Sequence, residues 1–454
     1  MKNEKPNIIL INCDDLGYGD LGCYGSKLNE TPNLDRLACE GLQCTNFYMA
    51  SSICSPSRAA LMTGCYPQRI SMNRVLFPGD SDGLGTTEET LPAALKKVGY
   101  NTAIVGKWHL GDQKEFLPTR YGFDQYYGIP FSNDMGRQTG DPEDKAPLPI
   151  MDNEEIISQQ PDQSGITERY VEESLRFIRK NQDNPFFLYL AHMYVHLPLY
   201  VPEKFLKRSK NGRYGAALAC VDWAMGVLEQ ELKRLDLYDD TIVIFTSDNG
   251  SRANNEGGSN GKLRGTKFTT WEGGFRVPMI IRWPNKIKTG KTDEIISSID
   301  LLPTLLDFAN TSPNGKHKID GLNFSQFLKE GKNSPRDTFI YFSSGNLAAI
   351  RKGKWKLHFC IRTSWGKPFD TLCELYNLEE DEAESHNVIN QNPKIADELR
   401  KLADDYRKTL GDAHTNNIGQ EVRDCSHREN PVTLTTYDKN YPYLIAEYDL
   451  ADRG

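Results

Sequence analysis

With 454 residues, the chain exceeds the length at which a single hydrophobic core stops growing, so two domains of unequal size are expected. It is 38% hydrophobic before glycine is counted and 26% charged, the composition of a packed protein rather than a disordered one. Its net charge of -8 comes from 54 basic and 62 acidic residues, interspersed rather than clustered, which speaks against a nucleic-acid partner. The apolar runs have the length of buried strands, so no membrane span is expected.

Residues 1–6 lead directly into the first apolar run, with no room for a charged leader, an apolar core and a cleavage site. The chain as given therefore reads as cytoplasmic, or as periplasmic or secreted if a leader has been removed. The Ile-rich run 7–12 ends at Asp14-Asp15 and a Gly-rich loop, the pattern of a buried parallel strand feeding a functional loop. Comparable runs recur at 102–105, 186–191, 241–245 and 278–282. Between them, Thr90 caps a helix over 90–98 with an early Pro92 and a closing Gly99. Farther on, Leu218, Val221, Met225, Leu228 and Leu232 share one helical face.

Strands alternating with helices predict an α/β fold, a large mostly parallel (mixed) sheet sandwiched by helices. After about residue 330 short β-prone pieces appear at 338–342, 347–351 and 355–359, then a helix with Ile395, Leu399, Leu402 and Tyr406 on one face. A smaller antiparallel sheet with a packed helix is expected there, dividing the chain into domains 1–335 and 336–454. The polar segment 411–454 is expected to wrap the surface or return to the larger domain. The ten cysteines are scattered without C-x-x-C or zinc spacing, which leans towards a reducing compartment. A pairing of Cys360 with Cys373 stays open for an oxidising one.

Ligands of open α/β sheets bind beyond the carboxyl ends of the strands. Asp14-Asp15 follows the first strand and Asp248-Asn249 follows the run 241–245. Both offer hard oxygen donors, a set that suits calcium or magnesium. Either pair alone reads more readily as turn residues, and two pairs in equivalent positions shift the balance towards a metal. Lys107, His109 and His196 also stand at strand ends, and Lys267 precedes Thr269-Thr270-Trp271-Glu272-Gly273-Gly274; converging on a metal, the four make an electropositive pocket for an oxyanion, whereas singly they read as surface or structural residues.

The segment Cys54-Ser55-Pro56-Ser57-Arg58-Ala59-Ala60-Leu61-Met62-Thr63-Gly64 resembles the signature of the type I, formylglycine-dependent sulfatases of the alkaline-phosphatase-like superfamily. Asp14-Asp15, Gly106-Lys107-Trp108-His109-Leu110-Gly111, His196, Ser247-Asp248-Asn249-Gly250 and Lys267 follow in that family's order. Gly122-Phe123 and the segment Gly128-Ile129-Pro130-Phe131-Ser132-Asn133-Asp134 resemble its arylsulfatase A and N-acetylgalactosamine-6-sulfatase branch, and Leu375-Tyr376-Asn377-Leu378 its C-terminal part. Cys65 departs from the pattern, since many relatives carry a basic residue there.

The resemblance implies that a formylglycine-generating maturation enzyme oxidises Cys54, and that Asp14, Asp15, Asp248 and Asn249, together with the residue made from Cys54, hold Ca2+, or Mg2+. One hydroxyl of the aldehyde hydrate then attacks sulfur, and the second expels sulfate from a covalent sulfo-enzyme intermediate. Arg58 and Lys107 hold the hydrate, His109 takes its proton, Lys267 binds sulfate oxygens and His196 serves the leaving alcohol. A sulfated saccharide, with galactose or N-acetylgalactosamine sulfate foremost, is the implied substrate. Asn133, Asp134 and Arg137 are candidates to reach its hydroxyls, a polar surface loop being an equally good reading. Phosphonate monoester or phosphodiester hydrolysis, and binding of sulfated glycans without catalysis, are the alternatives.

Overall fold

A computed structural model describes residues 5–441 and 448–450. Ten strands form the main sheet in the spatial order Gly290–Thr292, Leu42–Cys44, Met279–Arg282, Thr241–Ser247, Asn7–Cys13, Phe186–Ala191, Asn101–Gly106, Gln125–Gly128, Pro149–Asp152 and Glu155–Gln159. The five from Thr241–Ser247 to Gln125–Gly128 run parallel. Met279–Arg282 and the hairpin of Pro149–Asp152 with Glu155–Gln159 are antiparallel to their neighbours, which makes the sheet mixed.

The strand Asn7–Cys13 shows why such runs read as continuously apolar. Ile8 and Leu10 enter one core while Ile9, Ile11 and Cys13 enter the other, so both faces of the sheet are dry. Helices Ile166–Lys180 and Gly212–Arg234 cover the second face through Tyr170, Phe177, Leu218, Val221 and Leu228. Helix Leu91–Lys97 and helix Leu301–Phe308 cover the first. Thr90 caps its helix as expected, its hydroxyl accepting from Ala93 N at 3.4 Å.

Strands Thr338–Ser343, Asn346–Lys352, Trp355–Ile361 and Asp370–Asn377 form an antiparallel meander. Helix Pro393–Leu410 lays Ala396, Leu399 and Ala403 on it. This second sheet shares a core with the first part of the chain, where Phe339 and Tyr341 pack against Tyr48 and Phe275. The polar tail returns towards the main sheet: Ser426–His427 pairs with Asp82–Gly83, and Thr435 Oγ1 donates to Pro147 O at 2.6 Å. Its residues 442–447 and 451–454 lie outside the described part. All ten cysteines are free, Cys360 and Cys373 included. Cys65 is buried, with Arg423 Nη2 from the tail 3.4 Å from its sulfur. No helix among the described residues is long and apolar enough to cross a membrane.

Candidate active site

The parallel register brings the acidic pairs together. Cys13 lies opposite Ser247, so the residues that follow leave the sheet side by side: Asp14-Asp15 from one strand, Asp248-Asn249 from the other. Asp15 N donates to Asp248 Oδ1 at 3.2 Å, and Asn249 Nδ2 donates to Asp15 Oδ1 at 2.7 Å. Asp15 sits at φ 60°, a left-handed conformation that aspartate adopts more readily than most residues.

Cys54 opens the helix Cys54–Thr63, every residue of which is buried, and its sulfur stands 3.7 Å from Asp14 Oδ1. Arg58 is one turn farther along, on the same helical face. Its Nε donates to Asp248 Oδ2 at 2.9 Å, and its Nη2 lies 3.4 Å from Asp14 Oδ2. Lys107 follows Gly106, where a Cβ would meet Ala191 O at 1.8 Å; only glycine lets the chain pass this close to the neighbouring strand at φ 119°. Lys107 Nζ reaches Asp14 Oδ2 at 2.5 Å, and Lys267 Nζ reaches Asp15 Oδ2 at 2.9 Å.

Three buried carboxylates (Asp14, Asp15, Asp248) thus face three buried cations (Arg58, Lys107, Lys267). Burial pushes the Asp14 carboxyl upward, but the cations around it, Lys107 foremost and then Arg58 and Lys267, outweigh it and hold the group well below the usual range. Asp248 is pushed up, first by burial and then by the charge of Asp14. Burial works against the charged forms of Lys107 and Lys267 too, yet Asp14 and Asp15 respectively raise them above the ordinary lysine value. Burial pushes the Cys54 thiol up to about 12, despite Lys107 and Lys267, so the encoded side chain is a neutral thiol at physiological pH.

The two histidines are held below their ordinary value by burial, aided by Lys107 at His109 and by Lys267 at His196. His109 Nε2 lies 2.9 Å from Leu76 O; since a carbonyl only accepts, Nε2 carries the proton, and Nδ1, which has no hydrogen-bond partner, presents a lone pair. By the same reasoning His196 Nδ1 donates to Leu197 O at 2.5 Å, leaving the Nε2 lone pair 3.8 Å from Asp15 Oδ2.

A cavity of about 190 Å³ opens over Cys54, His109, His196 and Lys267. Of the three candidate saccharide contacts, Asp134 lines it. Asn133 and Arg137 are not among its lining residues: the Asn133 amide donates to Gln163 Oε1 and Pro198 O, and Arg137 donates to Pro142 O and Asp141 O and stacks on Tyr437 of the tail. Sequence reasoning missed Ser132, whose hydroxyl accepts from Lys107 Nζ at 3.2 Å and stands 3.5 Å from His196. It also missed the aromatic rim of Phe77, Phe268 and Trp365. Ser132 lies inside a segment already singled out, whereas nothing in the local pattern marks Trp365.

Comparison with known proteins places these observations in a family. The family described as Sulfatase matches residues 6–311, and the one described as N-sulphoglucosamine sulphohydrolase, C-terminal, matches residues 266–409. The chain is 38% identical to arylsulfatase A of Homo sapiens over 88% of its own length and 87% of that protein's. It is 39% identical to N-acetylgalactosamine-6-sulfatase of Homo sapiens over 80% of its length and 73% of that protein's. Among solved structures, the PsFucS1 sulfatase of Pseudoalteromonas sp. matches with a TM-score of 0.81 at 28% identity, covering 88% of this chain and 90% of that one. Ps i-CgsB in complex with k-i-k-neocarrahexaose matches with a TM-score of 0.79 at 31% identity, covering 88% and 92%.

Proposed function

The chain belongs to the sulfatase family and is a sulfuric ester hydrolase, and we propose that it desulfates carbohydrates of the galactose or N-acetylgalactosamine sulfate type through a formylglycine made from Cys54. The observation that carries this reading is the place of Cys54: it opens a buried helix, 3.7 Å from Asp14, and shares a cavity with His109, His196 and Lys267. The names of the relatives, N-acetylgalactosamine-6-sulfatase among them, support the carbohydrate class.

The residues fit a hard divalent cation. One ligand atom from each of Asp14, Asp15, Cys54 and His196 falls within 4.8 Å of the others, and Asn249 Oδ1 is buried without a hydrogen-bond partner. Asp14, Asp15, Asp248 and Asn249 are the residues that would hold calcium, with magnesium the alternative. The ion and the aldehyde derived from Cys54 together supply an acidified hydrate hydroxyl as the nucleophile.

The chain's own side chains do the rest. Arg58 and Lys107, both buried, fix the oxygen atoms at the Cys54 position, and His109 Nδ1 accepts the proton released there. Lys267 binds sulfate oxygens, and His196, in the form that carries a proton on Nε2 as well as on Nδ1, gives the Nε2 proton to the ester oxygen of the departing alcohol. Residues 1–335 form the catalytic part in this reading, and residues 336–454 the smaller part that buttresses it. Matured enzyme releasing sulfate from position-defined galactose or N-acetylgalactosamine sulfates is the expected result, with mass spectrometry reporting the aldehyde at Cys54. Turnover confined to glucosamine or uronate sulfates overturns the substrate class, and preference for a phosphodiester overturns the sulfate assignment.

A further inference from the structure

The floor of the cavity is polar and its mouth is not. Its apolar lining is Val75, Phe77, Met135, Phe268 and Trp365, of which Phe77 and Trp365 are the exposed ones, whereas Cys54, His109, His196 and Lys267 are buried. Trp365 arrives from the second sheet, in the loop joining Trp355–Ile361 to Asp370–Asn377, and its ring centroid lies 5.2 Å from that of Phe268 at an interplanar angle of 51°. Phe268 directly follows Lys267 at φ 74°, its backbone N donating to Ser52 O at 3.0 Å, so ring and cation are placed by the same short segment.

Leaving large aromatic rings in water is unfavourable. Among the described residues the exposed phenylalanine and tryptophan side chains are Phe77 and Trp365, each 49% exposed, and both line this one cavity. Trp365 is also braced from behind. The buried Arg362 lies 5.5 Å from its ring and 5.4 Å from that of Phe369, with Nη1 donating to Ser344 Oγ at 3.2 Å. A pocket with convergent polar groups at its base and flat aromatic faces at its mouth binds a ligand that is charged at one end and ring-shaped at the other.

We infer that Trp365, with Phe268 and Phe77, forms a ring-binding subsite that stacks on the flat face of the leaving alcohol while the floor of the cavity holds the sulfate. The inference rests on the reading that the ester sulfur sits beside Cys54. It makes Trp365 a specificity residue contributed by the second sheet, and it gives that sheet a part in choosing substrates. A pyranose and an aryl ring share the chemistry that the subsite recognises.

The test measures kcat and KM of matured wild type, Trp365→Ala, Trp365→Phe and Phe77→Ala on 4-nitrophenyl sulfate and on galactose and N-acetylgalactosamine 6-sulfates, with inorganic sulfate as a ring-free competitive inhibitor. Trp365→Ala is expected to raise KM for the ring-bearing esters about tenfold with little change in kcat. Trp365→Phe recovers most of the loss, Phe77→Ala gives a smaller rise, and the inhibition constant of sulfate stays put. An unchanged KM, or a sulfate constant that weakens in parallel, overturns the subsite. If wild type cleaves the nitrophenyl ester and neither sugar sulfate, the proposed carbohydrate class falls, while the comparison on the nitrophenyl ester still decides the role of Trp365.

Discussion

Lys356 donates to Glu272 across 3.0 Å with both side chains fully buried, one on the second sheet and the other just after the segment that carries Lys267. The same ammonium lies 2.9 Å from Glu384 and donates to Thr270 O at 3.2 Å, so one cation serves two buried carboxylates and a backbone carbonyl. Removing one partner of a buried charge cluster costs far more than the cluster contributes net, because the remaining charges cannot be solvated. Lys356→Met is expected to destabilise the protein by about 3–5 kcal/mol, read as a fall in the urea midpoint. Adding Glu384→Gln should recover part of it; a variant with wild-type stability would show that the cluster is not a buttress.

The role of His196 is open to kinetic dissection. If its Nε2 serves the departing oxygen, the need for it grows as the leaving group becomes more basic. His196→Ala should slow a sugar sulfate on the order of 10²-fold or more, and a nitrophenyl sulfate, whose alcohol leaves unaided, considerably less. Equal losses on both substrates remove His196 from the leaving-group step.

The legibility of this molecule followed the range of its interactions. Strands buried on both faces announce themselves as short apolar runs, and 7–12, 186–191 and 241–245 each correspond to a strand of the parallel core. Asp14 and Asp248 were legible as strand-end acids because chemistry at the ends of parallel strands is a rule of α/β sheets. Their adjacency was not, since it depends on the register of Cys13 with Ser247, 234 residues apart. The edge hairpin of Pro149–Asp152 with Glu155–Gln159 is not legible in the sequence, because exposed Glu155 and half-buried Ile156 and Ser158 lack a continuous apolar run. Arg137 reads equally well as a sugar contact and as a polar surface-loop residue; that it stacks on Tyr437 of the returning tail is something no local pattern could foretell.

Asp20 gives the stability a pH dependence with a definite sign. It is fully buried and accepts from Gly17 N at 2.7 Å, Ser259 N at 2.9 Å and Tyr214 OH. Burial nevertheless pushes its pKa up from 3.8 to about 7. A carboxyl whose folded pKa is raised binds more protons folded than unfolded, so its stabilising contribution is complete below pH 3.8 and is lost as pH rises towards 7. The loss is on the order of 4 kcal/mol. Asp20→Asn, which cannot ionise, should therefore gain on wild type steadily as pH rises from 3.8 to about 7 and no further above it. Urea midpoints of the two proteins that run parallel across the range would falsify the assignment.

A metal at Asp14, Asp15, Asp248 and Asn249 has a thermodynamic signature that does not depend on turnover. Lys107 and Lys267 already balance Asp14 and Asp15, but Asp248 is left with Arg58 alone and its pKa is driven upward by burial and by Asp14. A bound dication would relieve that deficit and give the unpaired Asn249 Oδ1 a partner. Ligand that binds only the folded state stabilises it by RT ln(1 + [L]/Kd), about 2.7 kcal/mol at a hundredfold excess over Kd. Calcium added to chelator-treated protein should raise the thermal midpoint accordingly, with magnesium less effective because it demands a stricter octahedral geometry. Asp248→Asn removes one anionic ligand and one of the two acceptors that Asp15 N and Arg58 Nε use, so it should be less stable than wild type without calcium, and its midpoint should respond to calcium much less. An equal calcium shift in the variant means that the cation binds elsewhere, and the charge balance at Asp248 must then be met by the protein's own cations.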